Sequence, residues 1–186
     1  MRVLSVSVTE RGREMAGRLP FEATHGDAAG VVRERWASVD AFVLFLATGA
    51  AVRIVAPLLD DKRTDPAVVC VDEAGRHVIA LTGGHAGGAN ALARQVADLL
   101  GAVPVITTAT DAVGIVALDQ IPGFVPGGDL AGVTAALLDG RAPLVDRGID
   151  WPCPPGLVAG TGPERVVITD ASATSVEPGV AVLHPP

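Results

Sequence analysis

The sequence predicts an α/β fold, in which a three-layer sandwich with a mostly parallel sheet is followed by a small α+β module. Short apolar runs rich in β-branched residues alternate with stretches of helical periodicity, a pattern typical of parallel strands covered by helices. The run at residues 41–47, AFVLFLA, is apolar throughout, as expected for a strand that is buried on both faces. Both observations favour a Rossmann- or flavodoxin-like sheet.

Composition narrows the class of protein. The chain has 186 residues, of which 49% are hydrophobic, so it can bury a sizeable core. Its formal net charge of -7 argues against general binding to nucleic acids or anionic membranes, but it is compatible with a local cationic pocket. The chain shows no signal peptide and no apolar run of membrane-spanning length, and its two cysteines are too few for a disulfide framework. We therefore expect a cytoplasmic protein without a bound metal.

The first half of the chain is predicted element by element. Strands are expected at apolar, β-branched runs, and helices where apolar residues recur three or four apart. Asp27 is placed to cap the second helix, and Pro57 should bend or divide the third. A turn at residues 72–75 should join two runs into a hairpin. The predicted strands are residues 2–8, 41–47, 67–71, 76–81 and 103–107, and the predicted helices are residues 10–19, residues 27–36 and the segment after Gly49.

The chain is organised around residues 79–101, IALTGGHAGGANALARQVADLLG. A short apolar run leads into a glycine-rich loop, and apolar residues then recur at helical spacing up to Gly101, which is placed to end the helix. The glycines remove side chains that would keep a ligand away from the backbone, and the helix N-terminus adds about half a positive charge. The loop therefore suits carboxylates or phosphates. His85 within it adds an imidazole, the commonest general acid–base group.

Polar residues follow three of the predicted strands. They are Thr48 and Gly49, the glycine-rich loop, and Thr107 with Thr108. Ligands of open α/β sheets bind outside the carboxyl ends of strands. We therefore expect these three segments to cluster at one edge of the sheet.

The character of the chain changes after about residue 118. Proline and glycine make residues 122–128 linker-like, and Asp129 is placed to cap a short helix. We divide the chain into an amino-terminal domain, residues 1–118, and a small module with a linker, residues 119–186. The elements predicted in the module are a helix at residues 129–138 and strands at residues 144–145, 165–169 and 180–183.

Several motifs in the first domain occur in the same order in a known family. TGAAVR begins at Thr48, DPAVV at Asp65, GHAGGAN at Gly84 and PVITTATD at Pro104. Through residues 44–110 the chain resembles the amino-terminal domain of the CbiG family, the cobalt-precorrin-5A hydrolases of cobalamin biosynthesis. The rest of the chain is more weakly similar to the middle region of that family, and the family's carboxy-terminal domain is absent. Some relatives are fused to a precorrin methyltransferase.

The resemblance implies a reaction. Members of this family open the δ-lactone of cobalt-precorrin-5A and release a two-carbon fragment as acetaldehyde, which gives cobalt-precorrin-5B. It also implies a tetrapyrrole substrate, with other corrin-biosynthesis enzymes as partners rather than nucleic acid or membrane. The cobalt belongs to the substrate's macrocycle, so we expect no cofactor.

Lactone opening needs an activated water and hydrogen-bond donors for the oxyanion. We take His85 as the candidate general base, with Asp65 or Asp72 as alternates. Arg53 and Lys62 are candidates for gripping the substrate's carboxylates. The full set of expected substrate-binding residues is Thr48, Gly49, Arg53, Lys62, Gly83, Gly84, Gly87, Gly88, Asn90, Thr107 and Thr108.

Plainer explanations exist for each of these residues. Glycines before a helix often serve only a tight strand-to-helix crossing, and Asp65 before a proline commonly forms a turn. Two other functions also compete with the hydrolase: a non-catalytic corrinoid-binding scaffold, and a phosphate or nucleotide site in the same loop. The loop lacks both the Walker lysine and the GxGxxG spacing, which argues against the nucleotide site.

Overall fold

The computed structural model describes residues 1–62, 64–85, 87–171 and 177–185. The chain forms two compact units, Met1–Thr107 and Thr108–Pro186. The structure thus divides the chain before residue 118, because Val116 and Leu118 pack in the hydrophobic core of the second unit.

The first unit is a six-stranded sheet covered by helices. Its helices are α1 (Glu10–Ala16), α2 (Ala28–Arg35), α3 (Thr48–Val55) and α4 (Ala89–Leu100). Its strands are β1 (Val3–Ser7), β2 (Glu22–His25), β3 (Ala41–Phe45), β4 (Ala67–Val71), β5 (His77–Thr82) and β6 (Val103–Val105).

The strand order is β2-β1-β3-β4-β5-β6, and only the β4–β5 hairpin pairs antiparallel. Helices α1 and α4 pack in one core with Val43 and Phe45 of β3, whereas α2 and α3 pack in a second core with Phe42 and Leu44. Alternate residues of β3 therefore enter opposite cores, as its apolar run predicts. The three-layer α/β class with a mostly parallel sheet is confirmed.

Local signals set several boundaries as expected. The side chain of Asp27 accepts a hydrogen bond from Gly30 N at 3.0 Å and caps α2. Helix α3 ends at Val55, and a short 3-10 turn, Ala56–Leu58, contains the expected break at Pro57. Gly101 ends α4 in the left-handed conformation with φ 71°.

Strand β2 was not predicted, because its sequence EATH carries no apolar run. Its four residues lie at the sheet edge and are mostly exposed. An edge strand with little buried surface needs no hydrophobic pattern, so its sequence does not distinguish it from a loop.

The elements of the second unit are α5 (Ala109–Val113), β7 (Val125–Gly128), α6 (Leu130–Leu138), β8 (Leu144–Arg147), β9 (Arg165–Ile168) and β10 (Val180–His184). Its strands form a four-stranded sheet with the order β7-β10-β9-β8. Asp129 caps α6 by accepting from Gly132 N at 2.8 Å, as predicted. The linker interpretation of residues 122–128 was wrong over its second half, which forms β7. Pro126 is tolerated because this is an edge strand.

Over the residues that the structure describes, no helix is both long enough and apolar enough to span a bilayer.

Candidate functional site

The first sheet has two edges that carry different residues. We call the carboxyl edge the one at which β1 to β4 end, and the amino edge the one at which they begin. Because β5 is antiparallel to β4, and β6 is parallel to β5, both end at the amino edge. The five residues of β3, at about 3.3 Å each, put the two edges roughly 15 Å apart.

The expected single cluster is therefore wrong. Thr48 and Gly49 follow β3 and lie at the carboxyl edge, whereas the glycine loop and Thr107 follow β5 and β6 and lie at the amino edge. The sequence rule assumes that every strand runs in the same direction, and the hairpin reverses the last two strands of the sheet. Thr108 is the first residue of the second unit.

The glycine loop, by which we mean Gly83, Gly84, His85, Gly87 and Gly88, is closely packed. Ala86 lies outside the described residues. Gly83 has φ +72°, and a Cβ placed on it would stand 3.1 Å from Ala67 Cα of β4. A Cβ on Gly87 would stand 2.9 Å from the carbonyl oxygen of Gly83. These two glycines are required for the loop to fold onto itself and onto β4.

The loop also supplies hydrogen-bond acceptors to the start of α4. Gly88 N donates to His85 O, and Ala89 N donates to Gly83 O, each at 3.1 Å. Asn90 N donates to Gly84 O, also at 3.1 Å. Three amides at this helix terminus are therefore engaged by loop carbonyls rather than offered to a ligand. This geometry matches the plainer explanation of a tight strand-to-helix crossing.

Other predicted residues share the amino edge with the loop. Asp65 lies two positions before Ala67, and its Oδ2 accepts from Asp60 N at 2.9 Å, which is the turn-forming role. Lys62 is exposed in the same connection. A cavity of about 340 Å³ adjoins the loop, with a mainly apolar lining of Met1, Val3, Phe21, Gly88, Ala91, Leu92 and Gln95.

The remaining predicted residues lie at or near the carboxyl edge. Thr48 Oγ1 is 4.0 Å from Cys70 Sγ, and the Cys70 thiol donates to Leu46 O at 2.9 Å. Burial raises the pKa of this thiol. Arg53 donates from Nη1 to Gly49 O at 3.0 Å, so part of its guanidinium is held by its own helix. These contacts do not reach the glycine loop.

The structure adds a polar cluster at the carboxyl edge that sequence reasoning missed. Ser7 ends β1 and His25 ends β2, and Ser7 Oγ is 3.1 Å from His25 Nδ1. The other ring nitrogen, Nε2, is 3.7 Å from Glu10 Oε1. Because β2 was not recognised, His25 could not be seen to end a strand beside Ser7. Recognition of that strand would have been the missing signal.

No metal centre is evident in the part of the chain that the structure describes, where no three His, Cys, Asp or Glu side chains converge in a way that could hold an ion.

Comparison with known proteins identifies a family that residues of the first unit match. Residues 30–111 match the family model described as Cobalamin synthesis G N-terminal, so the resemblance to the CbiG family is confirmed. The matched range includes Thr48, Asp65 and the glycine loop, and it excludes Ser7 and His25.

Two curated relatives carry the same name. The chain is 50% identical over 121 residues to the cobalt-precorrin-5A hydrolase of Salmonella typhimurium, which covers 65% of this chain and 33% of that protein. It is 41% identical over 109 residues to the enzyme of that name from Priestia megaterium, which covers 59% of this chain and 29% of that protein. The chain thus spans about a third of the length of these relatives.

A solved structure supports the fold over nearly the whole chain. The crystal structure of a putative cobalamin biosynthesis protein G homolog from Sulfolobus solfataricus aligns with a TM-score of 0.51 at 25% sequence identity. The alignment covers 98% of this chain and 60% of that chain.

Proposed function

We propose, from the membership of residues 30–111 in the Cobalamin synthesis G N-terminal family, that this chain serves cobalamin biosynthesis as part of a cobalt-precorrin-5A hydrolase. The reaction is the hydrolytic opening of the substrate's δ-lactone with release of acetaldehyde, which yields cobalt-precorrin-5B. The observation that carries this proposal is the 50% identity over 121 residues to the Salmonella typhimurium enzyme.

The length of the relatives defines the alternative. Because the chain spans 33% and 29% of the two curated enzymes, the remaining parts of those enzymes could supply groups that the reaction needs. The chain would then be a non-catalytic corrinoid-binding scaffold. Turnover by the chain alone separates the two functions.

For lactone opening we assign the general base to His85. The imidazole would remove a proton from water as the water oxygen attacks the lactone carbonyl, and the same proton would then pass to the departing ring oxygen. Asp65 and Asp72 are the alternate bases. Asp65 lies at the same edge of the sheet as the glycine loop, but its Oδ2 already accepts a hydrogen bond from Asp60 N. Asp72 follows β4 and lies at the opposite edge of the sheet.

Oxyanion stabilisation is assigned to amides of the loop. Since the amides of Gly88, Ala89 and Asn90 bond to loop carbonyls, we assign the donors to amides earlier in the loop, at Gly83, Gly84 and Gly87. Loss of one oxyanion donor typically costs about 10²–10³ in rate. The neighbouring apolar cavity of about 340 Å³ would receive part of the macrocycle.

The substrate's acetate and propionate groups call for cations. We assign Lys62, with Asn90 and Thr107, to carboxylate binding beside the loop. Arg53, with Thr48 and Gly49, lies at or near the opposite, carboxyl edge of the sheet and would hold a different carboxylate or a second bound molecule. No resident cofactor is required, because the cobalt travels in the macrocycle. We place the protein in the cytoplasm, with other corrin-biosynthesis enzymes as its partners.

The test is an acetaldehyde assay on the purified 186-residue chain with cobalt-precorrin-5A. Wild-type turnover supports the hydrolase, and binding without turnover supports the scaffold. Binding of ATP or GTP in place of the macrocycle would favour a nucleotide site.

His85→Ala tests the base. We expect lactone opening to fall by about 10²–10⁴, the usual contribution of general base catalysis, with unchanged thermal unfolding. His77→Ala is the matched control, because His77 is an exposed histidine of the same unit with no assigned role; its Nδ1 lies 3.1 Å from Asp72 Oδ2. Near-normal lactone opening by His85→Ala would remove His85 from the mechanism.

A further inference from the structure

The proposed function leaves one reactive cluster unused. Ser7, Glu10 and His25 meet at the carboxyl edge of the first sheet, away from the glycine loop. An imidazole bonded to a hydroxyl on one nitrogen and facing a carboxylate on the other is an arrangement suited to proton transfer.

The ring of His25 is held in place by Ser7. The Ser7 side chain lies on a core strand with 1% exposure, and its Oγ is 3.1 Å from Nδ1 and 3.4 Å from Thr24 O. Gly12 packs over it so closely that a Cβ there would stand 3.2 Å from Ser7 Cβ. Because Nδ1 is engaged inside the protein, Nε2 is the nitrogen that can exchange a proton with a ligand. The His25 side chain is 35% exposed.

Glu10 completes the arrangement. Its Oε1 lies 3.7 Å from His25 Nε2, and its Oε2 accepts from Arg13 Nε at 2.9 Å. Arg13 therefore holds the carboxylate of Glu10 through Oε2, and Oε1 faces the imidazole of His25.

The position in the fold is one where α/β proteins bind ligands. In the order β2-β1-β3 the chain places β2 on one side of β1 and β3 on the other, although all three strands are parallel. The point at which the strand order changes therefore lies between β1 and β3. Helix α1 after β1 packs in one core and α3 after β3 in the other, so the chains leaving these two strands diverge. A crevice outside the carboxyl ends of strands at such a switch point is the general binding position. Val8, which follows β1 and is 42% exposed, lies at this edge, as do Ala47 and Thr48, which follow β3.

We propose that His25 is a second catalytic residue of the hydrolase, which moves the proton during release of acetaldehyde from the ring-opened compound. This inference rests on the proposed function and deepens it. Lactone opening leaves a hydroxyl on the two-carbon arm. His25 Nε2 takes the hydroxyl proton, the oxygen's electron pair forms the aldehyde carbonyl, and the carbon–carbon bond to the macrocycle breaks. The electron pair stays on the ring carbon, which receives the proton back from Nε2.

This step fits the crevice chemically. One nitrogen takes and returns a single proton, so the step needs no oxidant and no oxyanion hole made of amides. The exposed side chains of Val8 and Ala47 at this edge offer apolar surface to a departing methyl-bearing fragment. Since the two edges lie roughly 15 Å apart, the ring-opened compound binds at His25 as a new ligand after leaving the glycine loop.

The first experiment separates the two steps with cobalt-precorrin-5A as substrate. The ring-opened compound is followed by mass, and acetaldehyde is measured independently. We expect His25→Ala to release acetaldehyde about 100-fold more slowly while the ring-opened compound accumulates. His85→Ala should leave the lactone closed, and His77→Ala should behave as wild type. Wild-type acetaldehyde release by His25→Ala, or an intact lactone in that variant, overturns the inference.

A second experiment keeps the inference testable where the wild-type chain does not turn over the macrocycle. Acetaldol carries the same hydroxyethyl arm next to a carbonyl-activated carbon, and its cleavage also yields acetaldehyde. The wild-type chain should accelerate this cleavage and His25→Ala should not. Absence of acceleration by wild type overturns the role of His25, while the proposed function stands or falls on the lactone assay alone.

Ser7 is a positioning residue in this scheme, and Ser7→Ala tests it. Loss of the hydroxyl frees the ring to rotate, so kcat for acetaldehyde release should fall about tenfold with KM unchanged. His25→Gln keeps a side chain of similar size and polarity, and should fold like wild type while remaining as inactive as His25→Ala. Equal kcat for Ser7→Ala and wild type would show that the hydroxyl does not position the ring.

Discussion

The two edges of the first sheet are held together by different kinds of contact. At the amino edge the glycine loop is held by backbone contacts: Gly83 and Gly87 touch each other, and loop carbonyls accept from the first amides of α4. At the carboxyl edge side chains make the contacts, from Arg13 through Glu10 and His25 to Ser7. Close backbone packing explains the glycines without any ligand, whereas the contacts of His25 bring a hydroxyl and a carboxylate to the two nitrogens of one imidazole. A glycine-rich sequence is therefore the weaker indicator of chemistry in this protein.

The largest expected difference is between the labelling rates of the two cysteine thiols. Cys70 is fully buried at the carboxyl end of β4, and burial raises the pKa of its thiol, whereas Cys153 is exposed. Because the thiolate is the reactive form, we expect Cys153 to react with a maleimide or disulfide reagent at least about 100-fold faster. The rates are measured at pH 8 on Cys70→Ala and Cys153→Ala single variants.

The labelling rate of Cys70 tests how closely the carboxyl edge of the first sheet is packed. Labelling of Cys70 in the folded chain at the rate of Cys153 would mean that the reagent reaches the carboxyl end of β4, which contradicts the burial of the Cys70 side chain and the hydrogen bond that its thiol donates to Leu46 O.

Two glycine substitutions compare the edges directly. Gly87→Ala places a Cβ 2.9 Å from a backbone oxygen that cannot move without disturbing Gly83, so we expect a loss of about 1–3 kcal/mol in unfolding free energy. Gly49→Ala lies at the start of α3, where the nearest atom is the flexible Arg53 Nη1 at 3.4 Å. Alanine favours the helix there by up to about 1 kcal/mol. Urea unfolding followed by circular dichroism measures both, and equal midpoints would refute the contrast.

The pH dependence of stability gives the smallest expected effect. The backbone N–H of Arg2, and then its guanidinium, lower the pKa of Asp40, which ties the start of β1 to the residue before β3. A carboxyl with a lowered folded pKa stabilises the fold above its unfolded pKa of about 3.9, and this contribution is lost as the pH falls through the folded pKa.

Asp40→Asn should therefore lower stability at neutral pH and leave it unchanged well below pH 3. Thermal unfolding from pH 7 to pH 2 measures the change, and a constant offset between variant and wild type at every pH would contradict it. The effect is small because the pair is solvent-exposed.

Much of the architecture could be predicted because local chemistry specifies it. The unbroken apolar run of β3 requires burial on both faces, Asp27 and Asp129 cap their helices, and Pro57 ends α3. Each of these depends on a few neighbouring residues. Strands β2 and β7 were missed because edge strands bury little surface and tolerate polar residues, proline and glycine.

The site was predicted less completely. The sequence singled out the glycine loop and His85 by composition, and the motifs indicated a resemblance to the CbiG family, which the match over residues 30–111 confirms. It did not separate Thr48 and Arg53 from the loop, and it did not bring His25 to Ser7. Both depend on strand order and direction, which one hairpin between β4 and β5 decides.

By itself, the sequence determined the α/β class, the identity of most helices and core strands, and the family relationship, because periodicity, caps and motifs are properties of neighbouring residues. Only the tertiary structure decided which strand ends share an edge, whether loop amides face a ligand or their own carbonyls, and which histidine meets a hydroxyl and a carboxylate. Those facts depend on pairing between residues that lie far apart in the chain, as Ser7 and His25 do, and no local pattern encodes that pairing.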